Sequence, residues 1–133
     1  MSRHILAAGL IISVAYAVVH IAFADATLLT GAAPLRLSVR NYLGNVLGSG
    51  MVWGIFSYLM GKNFPGRWLK ALLAGTGIIV MMLAVHYALL VVFGVYSWSE
   101  AFEYNAQWFF LALLSGPVLG PVSYTHLTLP TKA

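Results

Sequence analysis

Two histidines interrupt long apolar stretches, and histidine is the side chain best suited to bind a metal or pass a proton near neutral pH. His20 lies fifteen residues into a stretch that begins at Ile5, and His86 lies fifteen residues into another that begins at Ala71. At the rise of an α-helix, each is about 22 Å from the start of its segment. Two imidazoles at one depth on neighbouring helices fit the axial ligands of a b-type haem. They equally fit a proton relay or a metal ion. The plainer reading is a pair of neutral histidines hydrogen-bonded to partner helices. The chain has no cysteine, which removes thiolate sites and disulfides.

Other polar side chains repeat at helical spacing. Gly9, Ser13, Tyr16 and His20 recur at i, i+4, i+7 and i+11; Asn45 and Ser49 are four apart; His86 shares a face with Gly75 and Met82. Polar groups in lipid turn toward the bundle, so the predicted interior is lined by Ser13, Tyr16, His20, Asn45, Ser49 and His86. A second stripe is small: Gly50, Gly54, Ser57 and Gly61, with Gly44 and Gly48 before it. Small residues let membrane helices approach closely, most often within one molecule. Glu100 and Glu103 share a face, but two carboxylates are too few for calcium or zinc and suit a solvated helix start. No phosphate loop, H-E-x-x-H or G-x-S-x-G pattern occurs, and no span has an acidic or basic residue at its middle. The reading is a chain with no catalytic residue and no dedicated metal site.

The elements that position these groups follow from composition. Of 133 residues, 61% are hydrophobic and 8% charged, with a mean hydropathy of +0.89. A soluble domain carries about 25% charged residues. Four apolar segments are predicted as transmembrane helices, over 5–24, 43–61, 71–96 and 108–121. They form a single bundle over 1–121. Helices are required because lipid leaves backbone groups unsatisfied. Arg3, Lys62, Arg67 and Lys70 fall on one side, against Arg36, Arg40 and the acidic Asp25, Glu100 and Glu103 on the other. The larger basic group belongs in the cytoplasm, so the N-terminus is predicted inside. Ala22-Phe23-Ala24 before Asp25 also has the form of a signal-peptidase site, although the apolar run is long for one.

The connections carry their own signals. Asn63-Phe64-Pro65-Gly66 reads as a turn. Ser97 and Glu100 form a capping box that starts a short interfacial helix. Trp98, Tyr104 and Trp108 belong to an aromatic belt. Ser115-Gly116-Pro117 and Gly120-Pro121 are expected to kink or break the fourth helix. From Val122 to Thr131 the chain resembles a translated sequencing adapter, so residues 122–133 are read as non-native. The natural protein is expected to continue with other sequence beyond Pro121.

From Asn45 onward the chain resembles a family of small multi-helix membrane proteins of unknown function, frequent in actinobacteria. The shared residues are Asn45, Gly48-Ser49, Trp53, Gly61, Gly75, His86-Tyr87, Trp108, Gly116-Pro117 and Gly120. The resemblance implies a multi-pass helical bundle with more hydrophobic sequence after the Gly-Pro element. It implies no chemistry.

The sequence thus points to an all-α integral membrane protein of a prokaryotic cytoplasmic membrane. Its leading role is that of a non-enzymatic accessory or assembly subunit that works by helix packing. The alternatives are part of a small-solute transporter and a redox subunit binding haem or quinone through His20 and His86. Its partners are the bilayer and other membrane subunits or a second copy. The spread of basic residues along loops argues against nucleic acid.

Overall fold

The structure, a computed structural model, describes residues 2–22, 35–103 and 105–125. Ala24, Asp25, Tyr104 and the adapter-like sequence from His126 lie outside the described residues. Six helices follow in order: α1 (Ser2–Ala22), α2 (Leu35–Leu47), α3 (Gly50–Gly61), α4 (Trp68–Val92), α5 (Trp98–Glu103) and α6 (Ala106–Thr125). No strand occurs among the described residues. Three stretches are long and apolar enough to cross a membrane: Ser2–Ala22, Leu37–Gly61 and Trp68–Val92. Ala106–Val122 is a shorter apolar helix.

Helix α4 is the axis, with α1, α3 and α6 packed on it. Gly9 lies against Met82 and Ile78 while Tyr16 stacks on His86, so α1 runs in the same direction as α4. Ser57 meets Gly75 and Trp53 approaches His86, so α3 runs the opposite way. Gly120 meets Ala71, Gly116 meets Thr76, and Asn105 reaches Tyr87, so α6 is also antiparallel to α4. The core is Trp53, Met60, Ile78, Ile79, Met82, Leu83 and Ala112.

The second segment departs from the predicted 43–61 in two ways. It begins at Leu35, which brings Arg40 into α2 as a half-buried residue. A hydropathy window stops at a charge, but the helix continues through it: Arg40 Nε is buried without a hydrogen-bond partner, and its charge acts on Tyr16 and His20 of α1. It is also broken at Gly48–Ser49. Ser49 is extended (φ −66, ψ 136), and its Oγ accepts from the Val52 amide at 3.3 Å, capping α3. Trp53 Nε1 donates to the Leu47 carbonyl at 2.6 Å and satisfies an acceptor that the break frees.

The third segment ends at Val92 rather than at 96. Gly94 has φ +71, its amide donates to the Val91 carbonyl, and the Val95 amide donates to the Leu90 carbonyl. This paired closure needs the left-handed conformation that glycine adopts without penalty. Helix α5 opens with the expected reciprocal cap: Glu100 Oε2 accepts from the Ser97 amide at 2.7 Å, and Ser97 Oγ accepts from the Glu100 amide. Hydrogen bonds to the carboxyl from the Ser97 amide and then from the Ser97 side chain hold the exposed Glu100 below its usual value.

Helix α6 does not break at its prolines; it runs through Pro117 and Pro121 to Thr125. Each proline follows a glycine, which removes the Cβ that would clash with the proline ring in a helix. The same glycines pack α6 on α4. A Cβ on Gly116 would lie 2.5 Å from Thr76 Cα, and one on Gly120 would meet the Ala71 carbonyl oxygen. Helix α3 joins this contact, since a Cβ on Gly75 would lie 2.7 Å from Ser57 Oγ and 2.9 Å from Gly120 Cα.

Candidate functional site

At the other end of α4 the small residues give way to rings. Tyr16, one turn before His20 on α1, is stacked on His86 with centroids 4.2 Å apart and planes at 13°. Its ring is 4.5 Å from that of His20, and the two imidazole centroids are 5.3 Å apart. Trp53 stands edge-on to His86 at 6.5 Å, and Tyr87 at 5.0 Å. Gly48 admits this cluster: a Cβ there would lie 2.5 Å from the Tyr16 hydroxyl.

Beside the rings is a cavity of about 650 Å³ between α1, α3, α4 and α6. Tyr16, His20, Trp53, His86, Tyr87 and Asn105 form its polar and aromatic wall. Leu83, Leu111, Leu114 and Val118 supply apolar surface. Among the described residues that line it, none is Asp, Glu, Lys or Arg. A volume of 300–1,000 Å³ is the usual range for small-molecule sites.

Two residues of this wall each carry an atom that is sealed from solvent without a hydrogen-bond partner, His86 Nδ1 and Asn105 Nδ2. His86 is 1% exposed. Asn105 is held by Tyr87, whose hydroxyl donates to Asn105 Oδ1 at 2.9 Å. With its oxygen engaged, the amide is left with an unanswered donor. Burying such a donor costs about 1–3 kcal/mol when no acceptor meets it.

The six residues predicted as a polar interior separate into three groups. Tyr16, His20 and His86 come together at the cavity. Ser13 is fully buried, but its hydroxyl donates to the Gly9 carbonyl at 2.9 Å within its own helix. Ser49 serves the α3 cap, and Asn45 is exposed on α2, so neither completes the interior. The packing stripe divides as well. Ser57 and Gly61 are buried, Gly54 abuts Leu119, and Gly48 lies under Tyr16. A Cβ on Gly44 or Gly50 would meet only open space. The break between α2 and α3 explains the division, because residues before and after it no longer share one helical face.

Sequence reading missed Asn105, Tyr87 and Tyr96 as cavity residues and Gly116-x-x-x-Gly120 as a packing motif. The last carried a legible signal in its spacing; Asn105 carried none.

A haem does not fit between the histidines as they stand. Its plane would bisect the line joining two axial imidazoles. Tyr16, nearly equidistant from both rings, occupies that plane. Among the described residues, no three His, Cys, Asp or Glu side chains converge as a metal site. No protein-family model, curated protein or solved structure matches the chain.

Proposed function

We propose that this chain is a four-crossing integral membrane protein, N-terminus in the cytoplasm, that holds a small uncharged solute in the cavity beside His86. It acts without catalysis, as the binding part of a carrier. The observation that carries the reading is the cavity itself, lined by aromatic and apolar side chains and, among the described residues, by no Asp, Glu, Lys or Arg. Helix α6 supplies the fourth crossing because it packs antiparallel to α4 from Asn105 to Gly120. Arg3 and the Lys62, Arg67 and Lys70 group lie at one end of the bundle, which supports placing that end in the cytoplasm.

The absence of cysteine makes orientation simple to test. A cysteine at Ser99 should react with a membrane-impermeant maleimide on intact cells, and one at Asn63 only after lysis. The reverse pattern would invert the topology.

Binding is tested by thermal unfolding of nanodisc-embedded protein with a panel of uncharged and permanently charged solutes. A ligand at a hundred times its Kd stabilises the native state by about 2.7 kcal/mol. Uncharged members should raise the midpoint, and Leu111→Trp, which enlarges a side chain of the cavity wall, should suppress the rise. If no solute separates the two proteins, the cavity is not a binding site.

A second reading, an accessory subunit acting by helix packing, rests on Gly44 and Gly50. These two are the part of the small stripe that faces open space and is free to meet another helix.

A further inference from the structure

We infer that the cavity selects a solute that carries an aromatic ring, and that Tyr96 and Trp108 are the residues that select it. This deepens the solute-binding reading and rests on it.

The rings of the wall fall into two sets. Those of the first are paired with one another. Tyr16 lies face to face on His86, Trp53 stands edge-on to both, and Tyr87 meets His86 and Phe109. Tyr96 and Trp108 form the second set. Both line the cavity, and neither pairs with another ring among the described residues. Tyr96 follows the closure at Gly94 and Trp108 sits in the first turn of α6, so both belong to the ringed end of the bundle. Tyr96 is half-buried and Trp108 is 45% exposed, so each keeps surface that a partner could cover.

Aromatic rings pair at centroid distances of about 4.5–7 Å and gain from the pairing beyond the area they bury. In the first set the protein itself supplies that partner. In the second set it does not, and an aromatic solute would. A saturated ring of the same outline fills the volume without the pairing. Trp98 is also unpaired, but it lies off this wall, and anchoring at the membrane surface accounts for it.

Charge narrows the class further. Arg40 stands outside the wall, but its charge acts on Tyr16 and His20, which line it. A cationic ring would be opposed there, and no carboxylate of the described wall would offset the repulsion. The selected compound is therefore an aromatic without positive charge.

The test compares 2-naphthol with decahydro-2-naphthol, which keeps the fused skeleton and the hydroxyl and has no aromatic face. Saturable binding is measured on the full chain in immobilised nanodiscs, with retention on protein-free discs subtracted. Each affinity is referred to the compound's concentration in the disc lipid. The aromatic compound should bind at least about fivefold more tightly, because each ring pair is worth about two- to tenfold. Tyr96→Leu and Trp108→Leu keep an apolar side chain, lie outside the buried core, and should each lower that preference about two- to fivefold. A residue that only anchored the chain at the membrane surface would leave the preference unmoved. Equal, saturable binding of both compounds by the unaltered protein overturns ring recognition and leaves the cavity reading standing. Saturable binding of neither, together with a flat thermal panel, removes both. A preference unchanged in both variants overturns the roles of Tyr96 and Trp108.

Discussion

The two ends of α4 are built from opposite materials. Near the Lys62–Lys70 turn, Ala71, Gly75 and Thr76 meet Ser57, Gly116 and Gly120, and three helices close until backbone touches backbone. Toward the Tyr96–Asn105 connection, the same helices carry Trp53, His86, Tyr87 and Asn105 against Tyr16 and His20, and a cavity of about 650 Å³ opens. In lipid there is no hydrophobic drive between helices, so close packing of small residues supplies the cohesion. The closed end can therefore anchor the bundle while the ringed end stays hollow; buried polar atoms without partners occur at both, Ser57 Oγ and Thr76 Oγ1 at the first and His86 Nδ1 and Asn105 Nδ2 at the second. Stability and binding occupy different ends of the same helices.

The largest effect should come from breaking the closed end. A Cβ at Gly120 would meet the Ala71 carbonyl, which is backbone and cannot turn aside. Gly120→Val should therefore destabilise by about 3 kcal/mol, the upper range for overpacking. Gly50→Val, at the hollow end, adds its side chain to open space and should stay within about 0.5 kcal/mol of the parent. Reversible unfolding in mixed detergent would compare them. Equal losses would mean that cohesion is spread evenly along the helices, and the contrast between the ends would go.

Much of this contrast was legible in the sequence, for reasons that also mark where reading stopped. Tyr16, His20 and His86 could be brought together because depth along parallel helices is simple arithmetic. Ser13 shared their periodicity but bonds its own backbone, a choice that spacing does not reveal. Gly48-Ser49 looked like part of one apolar run, because averaging over a window conceals a two-residue break. Gly116 and Gly120 were read through their prolines, as a kink, when their separation of four was the informative feature. Asn105 and Tyr87 lie eighteen residues apart, and only the tertiary turn through α5 joins them.

The break between α2 and α3 offers a smaller and more local test. Trp53 belongs to both halves: it lines the cavity, and its indole N–H satisfies the Leu47 carbonyl that the break releases. Trp53→Phe keeps a ring in the wall and removes that bond. The expected loss is about 1.5 kcal/mol, as for a buried acceptor left without a partner. Amide exchange should rise around residues 47–53 and leave the Gly75–Gly120 contact protected. Exchange that rose equally at both ends would show that the break is not an independent joint.

The smallest effect concerns the cap of α5, which borders the hollow end without lining the cavity. The Glu100 carboxylate accepts from the Ser97 amide, then from the Ser97 side chain, and both bonds favour the charged form. Its folded value is therefore depressed. A depressed carboxylate contributes stability that is present above its unfolded value and is lost as pH falls through the folded one. Exchange at the Ser97 and Glu100 amides should be slow at neutral pH and quicken, relative to the intrinsic rate, only in acid. Glu100→Gln should flatten that dependence. Because Glu100 is fully exposed, the change should stay within α5 and leave solute binding in the cavity unaltered. A binding curve that followed the same acid titration would tie the cap to the cavity and contradict their separation.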